Sequence, residues 1–186
     1  MRKRFFVLLA FAACLLAGCS SPRYQAEWLR AQVNAPYVLA SGDRLRVIVF
    51  GQDNLSNSFS VDGAGNVSLP LAGLIKASGL TTAQLERSVE ARLREGFLRE
   101  PRVSIEVEAY RPFFVLGEVT TAGQYPFISG MTVQNAIAVA GGYTPRGSHS
   151  DVDITRVLDG RPITFAAPPN FPVRPGDTIA VRERFF

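Results

Sequence analysis

Histidine is nearly absent from this sequence, and its scarcity excludes several kinds of active site. The chain has 186 residues and one histidine, His149. A single histidine cannot supply the several imidazoles of a histidine-rich metal site. Its neighbours Ser148, Ser150 and Asp151 include the residue types of a hydrolase triad, but they lie in a loop rich in glycine and serine. A solvated loop histidine is therefore the favoured interpretation.

Other catalytic and metal-binding motifs are missing as well. Residues 62–66 lack the acidic run and the terminal glutamate of a calcium loop, so we interpret them as a hairpin turn. Residues 117–123 are not followed by the Lys-Ser/Thr pair of a phosphate loop. Asp151 and Asp153 are expected on one face of one strand with Val152 between them, whereas a glycosidase needs two carboxylates facing each other across a sugar. The sequence predicts no enzyme, no catalytic residue, no metal site and no cofactor.

Positive charge is concentrated at the N-terminus. Of the formal net charge of +4, Arg2, Lys3 and Arg4 account for three, which leaves +1 for the rest of the chain. A nucleic-acid-binding domain normally carries a basic surface of its own. We therefore expect no nucleic-acid partner.

Residues 1–18 have the pattern of a signal peptide. The basic residues are followed by the uncharged stretch 5–18, which as a helix would span about 21 Å of a hydrocarbon core about 30 Å thick. The tetrad Leu16-Ala17-Gly18-Cys19 resembles the lipobox of bacterial lipoproteins. That resemblance implies cleavage between Gly18 and Cys19 and lipidation of Cys19. The alternative is an ordinary secretory signal that happens to contain Cys19.

A lipidated N-terminus would place the protein on a membrane. Two or more acyl chains hold a protein stably, and residues 19–35 would then act as a tether. Ser20 stands where, in the lipoprotein sorting pattern, an aspartate favours the inner membrane. The resemblance therefore implies an outer-membrane, lipid-anchored protein that faces the periplasm. Because Cys14 leaves with the signal, no cysteine pair remains for a disulfide or a thiolate metal site.

Residues 36–109 predict a small α+β domain with a mixed sheet. We expect a strand at 37–39, alternating strands at 45–49 and 103–107, and hairpin strands around 59–75. Thr81 and Gln84 have the spacing of a capping box at the start of a helix. Leu85, Val89 and Leu93 form its apolar stripe, and Glu90 and Arg94 have the spacing of a favourable pair.

Residues 110–186 predict a second, β-rich domain with one helix. The apolar run 113–116 suggests a fully buried strand. Thr132 is expected to cap a helix that ends at Gly141-Gly142. Strands are expected at 152–156 and 163–165, and the segment 173–181 is expected to close the domain with a turn at Pro175-Gly176-Asp177 that feeds a last strand. The segments Ser41-Gly42-Asp43 and Pro175-Gly176-Asp177 each feed a strand, and we interpret this similarity as reuse of one kind of turn.

Both domains resemble modules of one family. The pattern in the first domain comprises Tyr37, Leu39, Gly42, Asp43, Leu45 and Val47; Val61, Asp62, Gly65, Val67, Leu69, Pro70 and Gly73; Gly79, Leu80, Thr81, Leu85 and Glu86; and Pro101, Val103, Ile105 and Val107. It resembles the N-terminal domain of bacterial outer-membrane polysaccharide export (Wza-type) lipoproteins. The pattern in the second domain comprises Val115, Gly117, Glu118 and Val119; Gly123 and Tyr125; Gly130, Thr132, Val133, Ala136, Ile137, Ala140, Gly141 and Gly142; and Pro175, Gly176, Asp177, Ile179 and Val181. It resembles the SLBB domain, a soluble-ligand-binding β-grasp module.

The resemblance implies a noncatalytic component of exopolysaccharide or capsule export. Its copies would form a homo-oligomeric ring that guides the exported polysaccharide. Long relatives continue into a membrane-spanning helix, whereas this sequence ends at residues 182–186. We therefore expect partners in both membranes: an outer-membrane β-barrel, and an inner-membrane polysaccharide copolymerase or synthase. The pair Phe185-Phe186 is either packed on the second domain or a docking tail.

Two alternatives belong to other functional classes. In one, the second domain serves as a periplasmic module that binds a glycan or a small ligand, with no role in transport. In the other, the chain is a scaffold that holds partners in the cell envelope. No ligand-binding residue can be assigned from the sequence.

Overall fold

The computed structural model of the protein describes residues 35–158 and 160–184. It divides the chain into a unit of residues 1–36 and a compact unit of residues 37–186, and the fold below is that of the second unit. The predicted signal peptide, the cleavage site at Gly18 and Cys19, and Phe185-Phe186 lie outside the described residues. Within the described part, no helix is both long enough and apolar enough to cross a membrane.

The N-terminal half, residues 37–109, contains five strands and one α-helix. These are β1 (Arg44–Val49), β2 (Asn57–Ser60), β3 (Asn66–Leu69), β4 (Gly73–Lys76), α1 (Thr82–Arg94) and β5 (Val103–Ala109), with a short 3-10 helix at Asp53–Leu55. Strand β1 lies at the centre of an antiparallel sheet with the order β2-β1-β5, and β3 and β4 form a separate antiparallel hairpin.

Helix α1 forms as the sequence predicts. The Thr81 side chain accepts a hydrogen bond from the backbone N–H of Gln84, and the Gln84 side chain accepts one from the backbone N–H of Thr81. Leu85, Val89 and Leu93 are fully buried in one apolar core with the inward residues of β1. The capping box therefore fixes the start of the helix, and its apolar stripe fixes the helix in the core.

The C-terminal half, residues 110–184, contains a five-stranded mixed sheet and one short helix. Its elements are β6 (Phe113–Gly117), β7 (Gly123–Tyr125), α2 (Val133–Val139), β8 (Val152–Leu158), β9 (Arg161–Ala167) and β10 (Thr178–Val181). The strand order is β7-β6-β10-β8-β9, with β6 and β10 parallel and the other neighbours antiparallel. The two halves together confirm the predicted α+β class.

Helix α2 also begins and ends where the sequence indicates. Thr132 caps it, and Asn135 completes a second capping box that the sequence analysis did not identify. The apolar residues at the i, i+3, i+4 and i+7 positions of α2 and its C-cap are all buried: Val133, Ala136, Ile137 and Ala140.

Two predictions about strands need correction. Residues 37–39 are not a strand, although Leu39 donates a backbone hydrogen bond to Leu80 and accepts one from Gly79. Strand β6 is not fully buried, because Phe114 and Leu116 are 40% and 46% exposed on the open face of the sheet.

Two carboxylates of α1 bind the free edge of β5. The Glu90 carboxylate accepts a hydrogen bond of 3.0 Å from the backbone N–H of Val103, and the Glu86 carboxylate accepts one of 2.8 Å from Ile105. The expected pairing of Glu90 with Arg94 is thus replaced by a contact with β5. Strand β1 pairs with the opposite edge of β5. The two carboxylates therefore accept hydrogen bonds from backbone N–H groups on the edge that β1 does not reach.

We predict that Glu90→Ala lowers the free energy of unfolding by about 1–3 kcal/mol, because the N–H of the buried residue Val103 loses its acceptor. Urea denaturation of the purified protein measures the loss. Glu95→Ala is the matched control, since Glu95 forms only an exposed pair with Arg92 and should change stability by about 0.5 kcal/mol or less. Equal losses in both variants would contradict the role assigned to Glu90.

Candidate functional site

Two turns of the same construction, one in each half, form the basis of the candidate site. The N–H of Asp43 donates to the carbonyl of Ala40, and the N–H of Asp177 donates to the carbonyl of Arg174, both at 3.1 Å. Each carboxylate in return accepts from the N–H of the same residue, at 2.9 Å from Ala40 and 2.7 Å from Arg174. Both aspartates are fully buried. The similarity noticed in the sequence is therefore a shared backbone structure.

The Asp43 carboxylate lies in a network with Tyr37 and Arg111. It accepts 2.5 Å and 3.0 Å hydrogen bonds from the Tyr37 hydroxyl and the Arg111 backbone N–H. Arg111 Nη1 donates to the Tyr37 hydroxyl at 2.9 Å and lies 3.5 Å from Asp43 Oδ2. Burial, followed by the hydrogen bond to Asp43, raises the pKa of Tyr37, so its hydroxyl stays protonated and donates.

Arg111 contacts the turns of both halves. It lies in the segment between β5 and β6. A Cβ placed on Gly42 would lie 3.4 Å from the Cβ of Arg111, and one placed on Gly176 would lie only 2.5 Å from its Nε. Gly176 also has a φ of +83°, a conformation that glycine adopts without strain. Arg111 therefore couples the two halves of the fold, and Gly176 makes room for it.

Asp177 is held by a second arginine, Arg156 of β8. Arg156 Nε donates to Oδ1 at 2.8 Å and Nη2 donates to Oδ2 at 2.7 Å, in a bidentate pair whose side chains are both buried. Nη2 also donates to the carbonyl of Pro172. The guanidinium carbon lies 5.7 Å from the ring centre of Phe165 and 5.6 Å from that of Phe171. Nη1 of Arg156 is buried and has no hydrogen-bond partner among the described residues.

A cavity of about 120 Å³ lies beside these groups. Its walls include Tyr37, Arg111, Arg156, Arg174 and Gly176. Burial, and secondly the positive charge of Arg156, lower the pKa of Arg174. Arginine nevertheless remains protonated in proteins, so the cavity is lined by guanidinium groups from both halves.

The residues that the sequence analysis weighed as catalytic or metal-binding candidates do not line this cavity. His149 stacks on the ring of Tyr143, with 4.2 Å between ring centres. Asp153 accepts hydrogen bonds from Arg182, which lower the pKa of the Asp153 carboxyl. Asp62 accepts from two backbone N–H groups within the 62–66 turn. In the part of the chain that the structure covers, no group of three potential ligands could hold a metal ion.

Sequence reasoning did not assign Arg111, Arg156 or Arg174 to a site. A signal was present for Arg156, because it follows Val152 and Ile154 at the inward positions of β8. A charged residue at a buried strand position needs a buried partner, and the turn aspartates are the natural candidates. No comparable signal identifies Arg111, whose contacts span 68 to 74 residues of sequence.

We predict that Gly176→Ala destabilises the protein more than Gly130→Ala. Both glycines have a φ of +83°, but a Cβ on Gly130 would meet no atom within 4 Å. Each variant should lose about 1–2 kcal/mol through backbone strain, and Gly176→Ala about 1–3 kcal/mol more through overlap with Arg111. Urea denaturation measures both losses.

The Arg111→Ala background separates the two causes. In that background the excess cost of Gly176→Ala over Gly130→Ala should disappear, since the overlapping side chain is gone. An unchanged excess would show that Gly176 does not act through Arg111.

The family comparisons match both halves of the chain. The model for "Polysaccharide biosynthesis/export protein" matches residues 31–108, and the model for the SLBB domain matches residues 112–166. The two matches lie in the order that the resemblance implied. They also agree with the prediction that the chain is not an enzyme.

Several curated proteins are similar to the chain over part of their length. The exopolysaccharide production protein ExoF of Rhizobium meliloti is 37% identical over 90 residues, which are 47% of this chain and 21% of ExoF. The polysialic acid transport protein KpsD of Escherichia coli is 29% identical over 126 residues, 66% of this chain and 23% of KpsD. The EPS I polysaccharide export outer membrane protein EpsA of Ralstonia nicotianae is 27% identical over 210 residues, 90% of this chain and 54% of EpsA.

The chain thus spans about a fifth to a half of these relatives. An export domain followed directly by an SLBB domain accounts for most of the described residues. The chain combines a domain of the polysaccharide biosynthesis/export family with an SLBB domain that follows it.

Proposed function

We propose that the protein is a noncatalytic component of a machinery that exports an exopolysaccharide or a capsular polysaccharide. The observation that carries this proposal is the pairing of the two family matches on one chain. The names of the three relatives support it, since each refers to production, transport or export of a polysaccharide.

The proposed role is to form part of an enclosed route for the polymer. A hydrophilic polysaccharide cannot cross hydrocarbon unless its polar groups are shielded. Identical subunits in head-to-tail contact form a ring when the rotation between neighbours closes, and a subunit of fixed shape keeps that rotation constant. The contacts of Arg111 with both turns are consistent with a subunit of that kind. Mass photometry of the mature protein counts the copies, and monomers alone would contradict the ring.

The protein is proposed to be anchored in the outer membrane through Cys19 and to face the periplasm. The tetrad of residues 16–19 supports the anchor, and the outer-membrane name of EpsA supports the location. The polymer has two membranes to cross, so we propose contacts with an inner-membrane copolymerase or synthase and with an outer-membrane β-barrel. Co-purification that recovers neither would contradict these partners.

Deletion of the gene tests the proposed function. We expect surface polysaccharide to fall well below the wild-type level, because the polymer loses its route. Gel analysis and sugar quantification of surface and periplasmic fractions measure the change, and complementation with the full chain should restore it. Normal surface polysaccharide in the deletion strain would overturn the proposal.

Replacing the lipidated cysteine tests the anchor. Cys19→Ala should move the protein from the membrane fraction to the soluble fraction, because no acyl chain can be attached. Cys14→Ala is the matched control and should leave the protein in the membrane fraction. Fractionation followed by immunoblotting measures both. An unchanged membrane location of Cys19→Ala would exclude lipid anchoring at this residue.

A further inference from the structure

Three exposed apolar side chains lie at one end of the N-terminal half. Phe50 follows β1 and is 63% exposed, and Leu71 lies in the turn between β3 and β4 and is 52% exposed. Phe97 follows α1 and is 51% exposed. We call these three residues the apolar tip.

Contacts beneath the apolar tip bring its three connections together. One small apolar groove has walls that include neighbours of all three residues: Val49, Pro70, Ala72 and Leu93. The first of these precedes Phe50, and the next two flank Leu71. The carbonyl of Leu93 accepts a hydrogen bond of 3.2 Å from the N–H of Phe97. The three apolar side chains therefore leave the fold at the same end.

The backbone of Leu71 is strained. Its φ is +63°, and among the described residues it is the single one other than glycine with a positive φ. This left-handed conformation is unfavourable for a residue with a Cβ, and asparagine or glycine adopts it more readily than leucine. Half of the leucine side chain is in water, so burial does not compensate for the strain. Strain of this kind concentrates at sites that contact a ligand or a partner.

Positive charge is in excess beside the apolar tip. Three exposed arginines at the end of α1 and in the connection to β5 form no ion pair among the described residues: Arg94, Arg99 and Arg102. Two exposed carboxylates of the same end are likewise without an ion pair in the described part: Asp53 and Glu100. The pair of Arg92 with Glu95 adds no net charge.

This combination fits a phospholipid surface better than a protein surface. Apolar side chains on separate connections can each enter fluid acyl chains, whereas a protein partner has to match a continuous, closely packed patch. Guanidinium groups bind two phosphate oxygens at once, and phosphate is part of every phospholipid headgroup. Helices that lie in membrane interfaces also combine Phe and Leu with basic residues.

We propose that the apolar tip inserts into the surface of a phospholipid bilayer. Phe50, Leu71 and Phe97 enter the boundary between headgroups and acyl chains, and the neighbouring arginines bind lipid phosphates. The contact gives the folded unit an attachment to a membrane that does not depend on Cys19. The proposal rests on the geometry of this end of the fold and not on the proposed export role.

Quenching of a single tryptophan tests the contact. Trp28 is the single tryptophan of the chain, so Trp28→Phe removes the native signal. Phe97→Trp in that background introduces an indole at the apolar tip. The full chain is mixed with an excess of phosphatidylethanolamine and phosphatidylglycerol vesicles whose acyl chains carry bromine. We expect a blue shift of the emission and strong quenching, because bromine quenches only an indole that reaches the acyl chains.

Phe114→Trp in the Trp28→Phe background is the matched control. Phe114 is exposed on the open face of the C-terminal sheet, and its substitution should give neither the shift nor the quenching. Equal quenching in both variants would indicate nonspecific adsorption. Absence of quenching in both would exclude contact with lipid and leave a protein surface as the occupant of the tip. Either result would overturn the proposal, and neither would affect the result of the gene deletion.

Leu71→Asn separates lipid contact from folding. With the indole of Phe97→Trp as reporter, it should lower the ratio of quenched to unquenched indole about tenfold, because an apolar side chain leaves the acyl chains. Leu116→Asn makes the same change on the C-terminal sheet and should leave the ratio within about twofold.

The urea midpoint of Leu71→Asn supplies the second readout. The midpoint should stay unchanged or rise, since asparagine tolerates a positive φ better than leucine does. A lower midpoint would show that Leu71 serves the fold. An unchanged quenching ratio would show that Leu71 does not contact lipid, and either outcome would overturn the proposal.

Discussion

The buried carboxylates of Asp43 and Asp177 impose the constraint on which the arrangement of the two halves depends. Both are fully removed from water. The desolvation of such a charge costs several kcal/mol unless positive charge and hydrogen-bond donors surround it. Each aspartate meets this requirement with a backbone N–H of its own turn and with an arginine from a distant part of the chain. The turns are therefore points of attachment as well as changes of chain direction.

The two buried aspartates are paired with different arginines, and the two pairs have different consequences for the fold. Asp177 is paired with Arg156, which lies in the same half, so this pair stabilises the C-terminal sheet internally. Asp43 is paired with Arg111, whose side chain also contacts Gly176 in the turn of the C-terminal half. The second pair consequently joins the halves. It also brings guanidinium groups of both halves to one cavity.

The parts of the structure predicted from sequence are those fixed by local or periodic patterns. The cap at Thr81 and the stripe of Leu85, Val89 and Leu93 were predicted because a helix brings residues three and four positions apart onto one face. The Gly-Asp turns were noticed for a similar reason. Both features need no knowledge of distant residues.

The parts missed depend on contacts between distant residues. An apolar run such as residues 113–116 does not reveal whether the second face of its sheet is covered, and here that face is open at Phe114 and Leu116. The sequence pairs Glu90 with Arg94 on the same helix. In the structure, the Glu90 carboxylate instead accepts a hydrogen bond from the backbone N–H of Val103 at the edge of β5. Arg111 has no sequence pattern of its own, so the network that links the halves emerged only from the structure.

The central claim, that Arg111 holds the two halves in one fixed geometry, is tested most directly by a distance distribution between them. Spin labels at positions 87 and 139, both exposed, would be introduced in a chain whose Cys14 and Cys19 are replaced by serine. Diluting the labelled chain with unlabelled chain removes distances between copies. Double electron–electron resonance should give one narrow distribution, which Arg111→Ala broadens. A broad distribution in the chain with Arg111 intact, or no change on its removal, would contradict the account.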